Sequence, residues 1–238
     1  MLEKAIELID QLERNGFECF IVGGYPRDQL LGIETSDIDL CTNATPEDMG
    51  KLFVVKKEHF GSMIVEYQEC NFEITTYRKE GAYQDHRRPD MVQFVTSLKE
   101  DLKRRDFVMN TLALDKNGTY IDLLGARNDI EHKLIRTVGD PYTRIKEDSL
   151  RILRAIRFQV VLGFKMDETL KKAILEQKKS ILFLSKKRIY EELHKMFSKN
   201  PEEALQCLKD YEIDQVIDVN EFLNKGFTPD AIVFLGKK

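Results

Sequence analysis

The stretch Phe20-Ile-Val-Gly-Gly-Tyr-Pro-Arg-Asp28 constrains this chain more than any other. An apolar run, Cys19 to Val22, reads as a buried strand that enters two glycines and leaves as a helix over 26–31. Pro26 is tolerated in the first turn of such a helix. Glycine lets backbone N–H groups approach a ligand closely, and a helix N-terminus is a ready anion site. Ser36-Asp-Ile-Asp-Leu40 follows and reads as a short strand. Ile38 and Leu40 take one face of it, so Asp37 and Asp39 share the other. Neighbouring carboxylates repel unless something cationic lies between them, and hard oxygen ligands suit Mg2+. Tight packing explains a Gly-Gly turn by itself, and a solvated face explains an isolated Asp-x-Asp. Their closeness in the chain favours metal-assisted phosphoryl chemistry on a nucleotide.

At 238 residues the chain is one large domain or two small ones, long enough for a hydrophobic core. Its 42% apolar and 33% charged residues exclude a disordered protein. No apolar run approaches the roughly 20 residues of a membrane span. No signal peptide is expected at the start, so the expected location is cytoplasmic, without membrane association. Cys19, Cys41, Cys70 and Cys207 are scattered with no C-x-x-C pair, which predicts free thiols and neither a disulfide frame nor a zinc site. The net charge of −4 argues against a generic nucleic-acid coat. Its distribution is more telling: residues 171–195 hold eight Lys/Arg against three Glu, and 86–105 hold six against three acids. Such patches either follow a phosphate backbone or form ordinary solvated helix faces.

Residues 2–15 carry apolar side chains at helical spacing, stopped by Asn15-Gly16. Thr45-Pro46-Glu47-Asp48 is a helix start, and Met63–Tyr67 with Phe72–Tyr77 reads as a hairpin around Glu69-Cys-Asn71. Glu73 lies in its second strand and is a candidate third carboxylate. Residues 79–91 are polar, punctuated by Gly81 and Pro89, and read as a mobile loop before a strand at Val92–Val95. Ser97-Leu-Lys-Glu100 predicts a capped helix reaching about Leu114 and carrying Arg104, Arg105, Asp106, Phe107 and Asn110. Tyr120–Leu123 is a last short strand.

Beyond residue 125 the pattern turns helical. A helix over Glu147–Leu162 places Ile152, Leu153, Ile156 and Val160 on one side and Asp148, Arg151, Arg154 and Arg157 in a stripe on the other. Such a stripe is either a salt-bridged surface or a set of forked donors for bases and phosphates. Further helices are expected at 167–179, 185–198 and 201–211. The expected class is α+β: a head with a small mixed or antiparallel sheet, followed by an all-α portion.

In this order and at these distances the motifs resemble the class II CCA tRNA nucleotidyltransferases of the polymerase β-like superfamily, over about residues 15–200. The carrying motifs are Gly23-Gly24 with Arg27-Asp28, Asp37-Ile-Asp39, Glu73-Ile-Thr-Thr-Tyr-Arg78, Arg104-Arg105-Asp106-Phe107 with Asn110, and Glu147-Asp148-Ser-Leu-Arg151 through Arg157-Phe158. The resemblance implies a catalytic head (1–130), a nucleotide-selecting and RNA-binding helical neck (131–200) and the start of a helical body (201–238). It implies templateless addition of CCA to the 3′ end of tRNA from CTP and ATP with Mg2+. Carried over by position, Asp37 and Asp39 hold metal, with Glu73 as a further catalytic carboxylate. Gly24, Arg27 and Arg105 meet the phosphate or sugar of the nucleotide. Asp148 and Arg151 pair with the base edge, and Arg154 and Arg157 extend the nucleotide-binding stripe.

The chain departs from the family pattern at Tyr25-Pro26, which is expected to tilt the entry to the helix, and at Thr111. It also stops at 238, short of the family's further helices. An A-only tRNA nucleotidyltransferase, a poly(A) polymerase and a non-catalytic tRNA-binding remnant stay open as alternatives, as does a homodimer. Residues 50–65 lack the basic insert of the poly(A) enzymes.

Overall fold

The computed structural model describes residues 1–81, 90–224 and 228–235. It divides the chain into two units, the first formed by Met1–Gly81 and Met91–His132, the second containing Lys133–Lys238.

The first unit is built on one mixed sheet. Its elements are α1 (Leu2–Arg14), β1 (Cys19–Val22), α2 (Gly24–Leu30), β2 (Asp39–Thr42), α3 (Pro46–Leu52), β3 (Val54–His59), β4 (Ser62–Tyr67), β5 (Cys70–Thr76), β6 (Arg78–Glu80), β7 (Val92–Phe94), α4 (Leu98–Leu102), β8 (Ala113–Leu114), β9 (Tyr120–Ile121) and α5 (Ala126–Glu131). Seven strands form the sheet in the order β3-β4-β5-β2-β1-β8-β9. The β2–β5 pair is parallel, and the other pairs in this sheet are antiparallel. Strand periodicity sorts the side chains onto two faces. Cys19, Ile21, Leu40, Met63, Val65, Phe72 and Ile74 bury one face against Ala5, Leu8, Ile9 and Leu12 of α1 and Met49 of α3. Val22, Cys41, Tyr77 and Ala113 turn the other way and pack with Leu98 and Leu102 of α4.

Several local expectations hold and several do not. The Thr45-Asp48 start of α3 is a complete capping box. The helix after the glycines starts at Gly24, earlier than predicted, with Gly23 as its N-cap at φ +76. The strand predicted from Ser36 begins only at Asp39, so Asp37 precedes it; exposure still alternates through Asp37, Ile38, Asp39 and Leu40. The hairpin turn is Gln68-Glu69, with Cys70 and Asn71 already in β5. The strand β3 joins the hairpin through a second two-residue turn, Phe60-Gly61, which the sequence reading missed.

The helix predicted from Ser97 to Leu114 stops at Leu102. Asp101 is fully buried and draws Arg104 and Arg105 back onto its carboxylate, while Asp106 Oδ1 accepts from Phe107 N at 2.7 Å. Such side-chain bonds compete with helix propagation. The chain then makes a 3-10 turn at Val108–Asn110 and enters β8. Of the loop read at 79–91, residues 79 and 80 belong to β6, which pairs with β7. Residues 82–89 lie outside the described residues.

The second unit contains β10 (Leu134–Ile135), α6 (Pro141–Glu147), α7 (Leu150–Leu162), β11 (Lys165–Met166), α8 (Glu168–Gln177), α9 (Lys186–Lys199), α10 (Pro201–Asp210) and α11 (Val219–Asn224). The short parallel pair β10–β11 departs from the all-α expectation. The predicted Glu147–Leu162 helix is split. Asp140 caps α6 by accepting from Thr143 N at 2.8 Å, Pro141 opens it, and Asp148 ends it in an extended conformation (φ −140, ψ 106). Ser149 then starts α7, which packs on α9 and α10. Arg151 is buried in α7, where the helical stripe predicted a surface position.

Gln68 and Glu69 both take positive φ, +48 and +64, where an Asn-Gly pair is favoured. Relieving one such residue gains about 1–2 kcal/mol, less the freedom that glycine adds to the unfolded chain. Glu69→Gly is therefore expected to raise unfolding stability by about 0.5–1 kcal/mol in urea titration; a lowered midpoint would contradict this turn.

Candidate active site

In the first unit the polar groups gather on the sheet face that α1 and α3 leave uncovered. Register makes Asp39 the neighbour of Val22 on β1 and of Glu73 on the parallel strand β5. The two carboxylates thus project from adjacent strands to the same side. Asp37 is exposed two residues upstream, Asp39 is half-buried and Glu73 is exposed. Ser62 on β4 donates its hydroxyl to Glu73 Oε1 at 3.0 Å.

Gly23 adjoins this group. A Cβ built there would lie 3.2 Å from Asp39 Oδ2 and 4.0 Å from Arg105 Nη1. Its positive φ and the nearby carboxylate both favour glycine. Gly24 opens α2, and Arg27 on that helix is buried, donating to Asp28 Oδ1 (2.8 Å from Nε) and to Asn110. Asn110 in turn donates to Asp106. Arg27 is therefore braced by residues from both sides of the unit's sequence.

Arg105 is positioned by Asp101, which the sequence reading passed over. The Asp101 carboxylate accepts from Arg104 Nε at 2.8 Å, Arg105 Nη2 at 3.3 Å and the backbone N–H of Arg78 at 3.2 Å. The signal was present: an acid three and four residues before an arginine pair. Cys41 shares this region, and burial pushes its thiol up to about 12. It stays protonated at neutral pH.

Among the described residues, no group of three or more His, Cys, Asp or Glu side chains is placed to hold a metal ion. That does not conflict with Mg2+, which keeps several waters and uses one or two carboxylates together with substrate phosphates. Asp37, Asp39 and Glu73 offer hard oxygens of that kind beside a backbone that approaches closely at Gly23.

The second unit holds the other candidates. Asp148 sits in the break between α6 and α7. Its Oδ1 accepts from Leu150 N at 3.0 Å, and both oxygens accept from Arg188 Nη2 on α9, at 3.1 and 2.8 Å. No local pattern pointed to Arg188, forty positions away. Arg151 Nη1 donates to Glu147 Oε2 at 2.9 Å and to the carbonyl of Arg144, and Arg144 also meets Glu147. Arg157 Nε donates to the buried Glu192 Oε2 at 2.6 Å, tying α7 to α9, and its guanidinium lies 4.1 Å from the Phe158 ring centre. Arg154 lies 5.6 Å from the same ring. The arginine stripe is thus partly a set of internal ion pairs.

Residues 19–136 match the model of the poly(A) polymerase head domain, and residues 163–217 match that of a probable RNA- and SrmB-binding site of polymerase A. The chain is 44% identical over 200 residues to the CCA-adding enzyme of Geobacillus kaustophilus, covering 82% of this chain and 49% of that protein. The chain belongs to the poly(A) polymerase head-domain family. Another relative, the CCA-adding enzyme of Oceanobacillus iheyensis, is 43% identical over 221 residues, 91% of this chain and 55% of that one. The solved Bacillus stearothermophilus CCA-adding enzyme in complex with CTP superposes with a TM-score of 0.81 at 36% identity, covering 89% of this chain and 52% of that one. The chain therefore spans about half the length of the family members it matches.

Removing one partner of a buried ion pair strands the others and costs about 3–5 kcal/mol. Asp101→Ala is expected to lose stability on that order in urea unfolding. A loss under about 1 kcal/mol would show that Asp101 is not the anchor of Arg104 and Arg105.

Proposed function

We propose that this chain adds C, C and A to the 3′ end of tRNA, using CTP and ATP. The observation that carries the reading is the register of β2 with β5, which sets Asp39 beside Glu73 next to the close backbone approach at Gly23. The CCA-adding names of its relatives, one of them solved with CTP, support the same activity.

In the reaction, the 3′ oxygen of the RNA bonds to the α-phosphorus of the nucleotide. The bond to the β-phosphate breaks, pyrophosphate leaves, and the hydroxyl proton goes to solvent. Phosphoryl transfer asks mainly for positioning and charge neutralisation. Asp37 and Asp39, with Glu73 alongside, would hold Mg2+, which would supply that neutralisation and favour the ionised 3′ oxygen. Gly24, Arg27 and Arg105 are assigned to the phosphate and sugar of the nucleotide. The bracing of Arg27 by Asp28 and Asn110, and of Arg105 by Asp101, supports such roles because a preset guanidinium loses less entropy on binding an anion.

Base choice is assigned to Asp148 and Arg151. C and A each present an exocyclic amine beside a ring nitrogen, which suits a carboxylate acceptor and an arginine donor; U and G present the reverse. Arg154 and Arg157 are assigned to the same nucleotide-binding helix in a supporting role. For tRNA, the exposed Lys172, Lys179, Lys186, Lys187 and Lys195 of the second unit offer phosphate contacts, within the segment that matches an RNA-binding model. Among the described residues no helix is long and apolar enough to cross a membrane. A cytoplasmic location accords with a tRNA substrate.

The test is to supply tRNA ending before CCA with CTP alone, ATP alone or both, and to size the product. The reading predicts two added nucleotides with CTP, three with both and none with ATP alone, and no product from Asp37→Ala. Addition of a single A only to tRNA already ending in CC would favour the A-only alternative, and a long A tract the poly(A) alternative. No addition under any condition would overturn the catalytic reading.

A further inference from the structure

We infer that Phe183 is a stacking platform for an unpaired base at the 3′ end of the RNA, flanked by lysines that take its phosphates. The inference rests on the reading of tRNA as substrate.

Phe183 closes a 3-10 turn, Lys178–Phe183, that leads into α9. The period of that turn puts Ile181 and Leu184 on one face. Both are buried, and Leu184 N donates to the carbonyl of Ile181 at 3.0 Å. Phe183 falls off that face and is 68% exposed, more than any other large apolar residue among those described. Folding gains little from a ring so placed. A single exposed apolar residue is ordinary on a protein surface, so its surroundings decide what it does.

Those surroundings are cationic. Residues 178–190 hold five Lys/Arg and no acid. Lys179, Lys186 and Lys187 are exposed. Lys179 and Lys186 form no salt bridge with the described residues, and Lys187 reaches Glu191 only at 3.9 Å. An aromatic face with an unneutralised cationic rim is complementary to single-stranded RNA, whose bases stack while its phosphates stay charged. Paired bases are already stacked within their helix, so the ring favours an unpaired end. Position supports the same occupant. The turn packs against α7, and five residues after Phe183 the first turn of α9 carries Arg188, which holds Asp148. Asp148 is assigned to the base of the incoming nucleotide, and the RNA end that accepts this nucleotide must lie beside it. Phe183 also falls within residues 163–217, which match the RNA-binding model.

The chain contains no Trp, so Phe183→Trp places a single fluorescent reporter at the site. Titration with tRNA ending before CCA is expected to quench its emission, and a blunt-ended RNA duplex is expected to leave it unchanged. Phe183→Leu keeps an apolar side chain but loses the π face. It is expected to raise the Kd for that tRNA about fivefold, with the salt dependence of binding unchanged. Lys186→Gln is expected to weaken binding and to flatten the plot of log Kd against log salt by about one unit of slope. Emission that tRNA does not alter while it binds, or that the blunt duplex alters equally, overturns the inference. An unchanged Kd in Phe183→Leu also overturns it; self-association lost in that variant, measured by sedimentation, would then give the ring to a second copy of the chain. Should Phe183→Leu fail to fold, the Phe183→Trp titration decides alone. A natural chain that binds no tRNA removes the substrate reading and this inference together. CCA addition by the natural chain, with an unchanged Kd in Phe183→Leu, removes this inference only.

Discussion

The central strand β2 is held by an antiparallel neighbour on one side and a parallel neighbour on the other, and the candidate chemistry depends on that register. Leu40 is buried on the face covered by α1 and α3, while Asp39 and Cys41 turn to the opposite face. A slip of one residue would bring Leu40 out and Asp39 into the core. Burying one leucine is worth about 1.5–3 kcal/mol, and burying an unpaired carboxylate costs more. The packing of one face thus sets the position of the carboxylates on the other. The parallel step from β2 to β5 also places Asp39 level with Glu73, and the antiparallel step to β1 brings Gly23 beside Asp39.

Around this sheet, and separately in the helical unit, arginines are organised by buried or half-buried acids. Asp101 holds Arg104 and Arg105, Glu192 holds Arg157, Glu147 meets Arg144 and Arg151, and Arg188 holds Asp148. Such pairs are weak sources of net stability because desolvation offsets attraction. Their value here lies in orientation. A guanidinium whose direction is already set meets a phosphate or a base with less entropy left to lose.

Local rules read much of this from the sequence. The capping pattern at Thr45-Asp48, the apolar run into Gly23 and the period of residues 2–15 each act within a few residues, and each appears as read. The motifs that resemble the nucleotidyltransferases identified the family before any geometry was known. Readings that depended on tertiary contacts were less successful. The helix from Ser97 was cut short because Asp101 is buried and gathers the arginines after it. The helix through Asp148 was broken by an extended residue whose carboxylate pairs with an arginine forty positions on. Period alone places Arg151 on the surface, yet contacts with Glu147 and Arg144 bury it. Long-range ion pairs leave no periodic trace, so Arg188 was the site-shaping residue the sequence did not disclose, whereas Asp101 left the local spacing to its two arginines.

In the proposed function the carboxylates of the first unit are assigned to chemistry common to every nucleotide, and Asp148 of the second to the choice among them. Single-turnover rates with CTP, ATP, UTP and GTP test this most directly, taken for the natural chain, Asp39→Asn and Asp148→Ala. The account predicts that Asp39→Asn lowers all four rates by a common factor, leaving their ratios unchanged, while Asp148→Ala shifts the ratios toward UTP and GTP. Altered ratios in Asp39→Asn, or a uniform loss in Asp148→Ala, would contradict it.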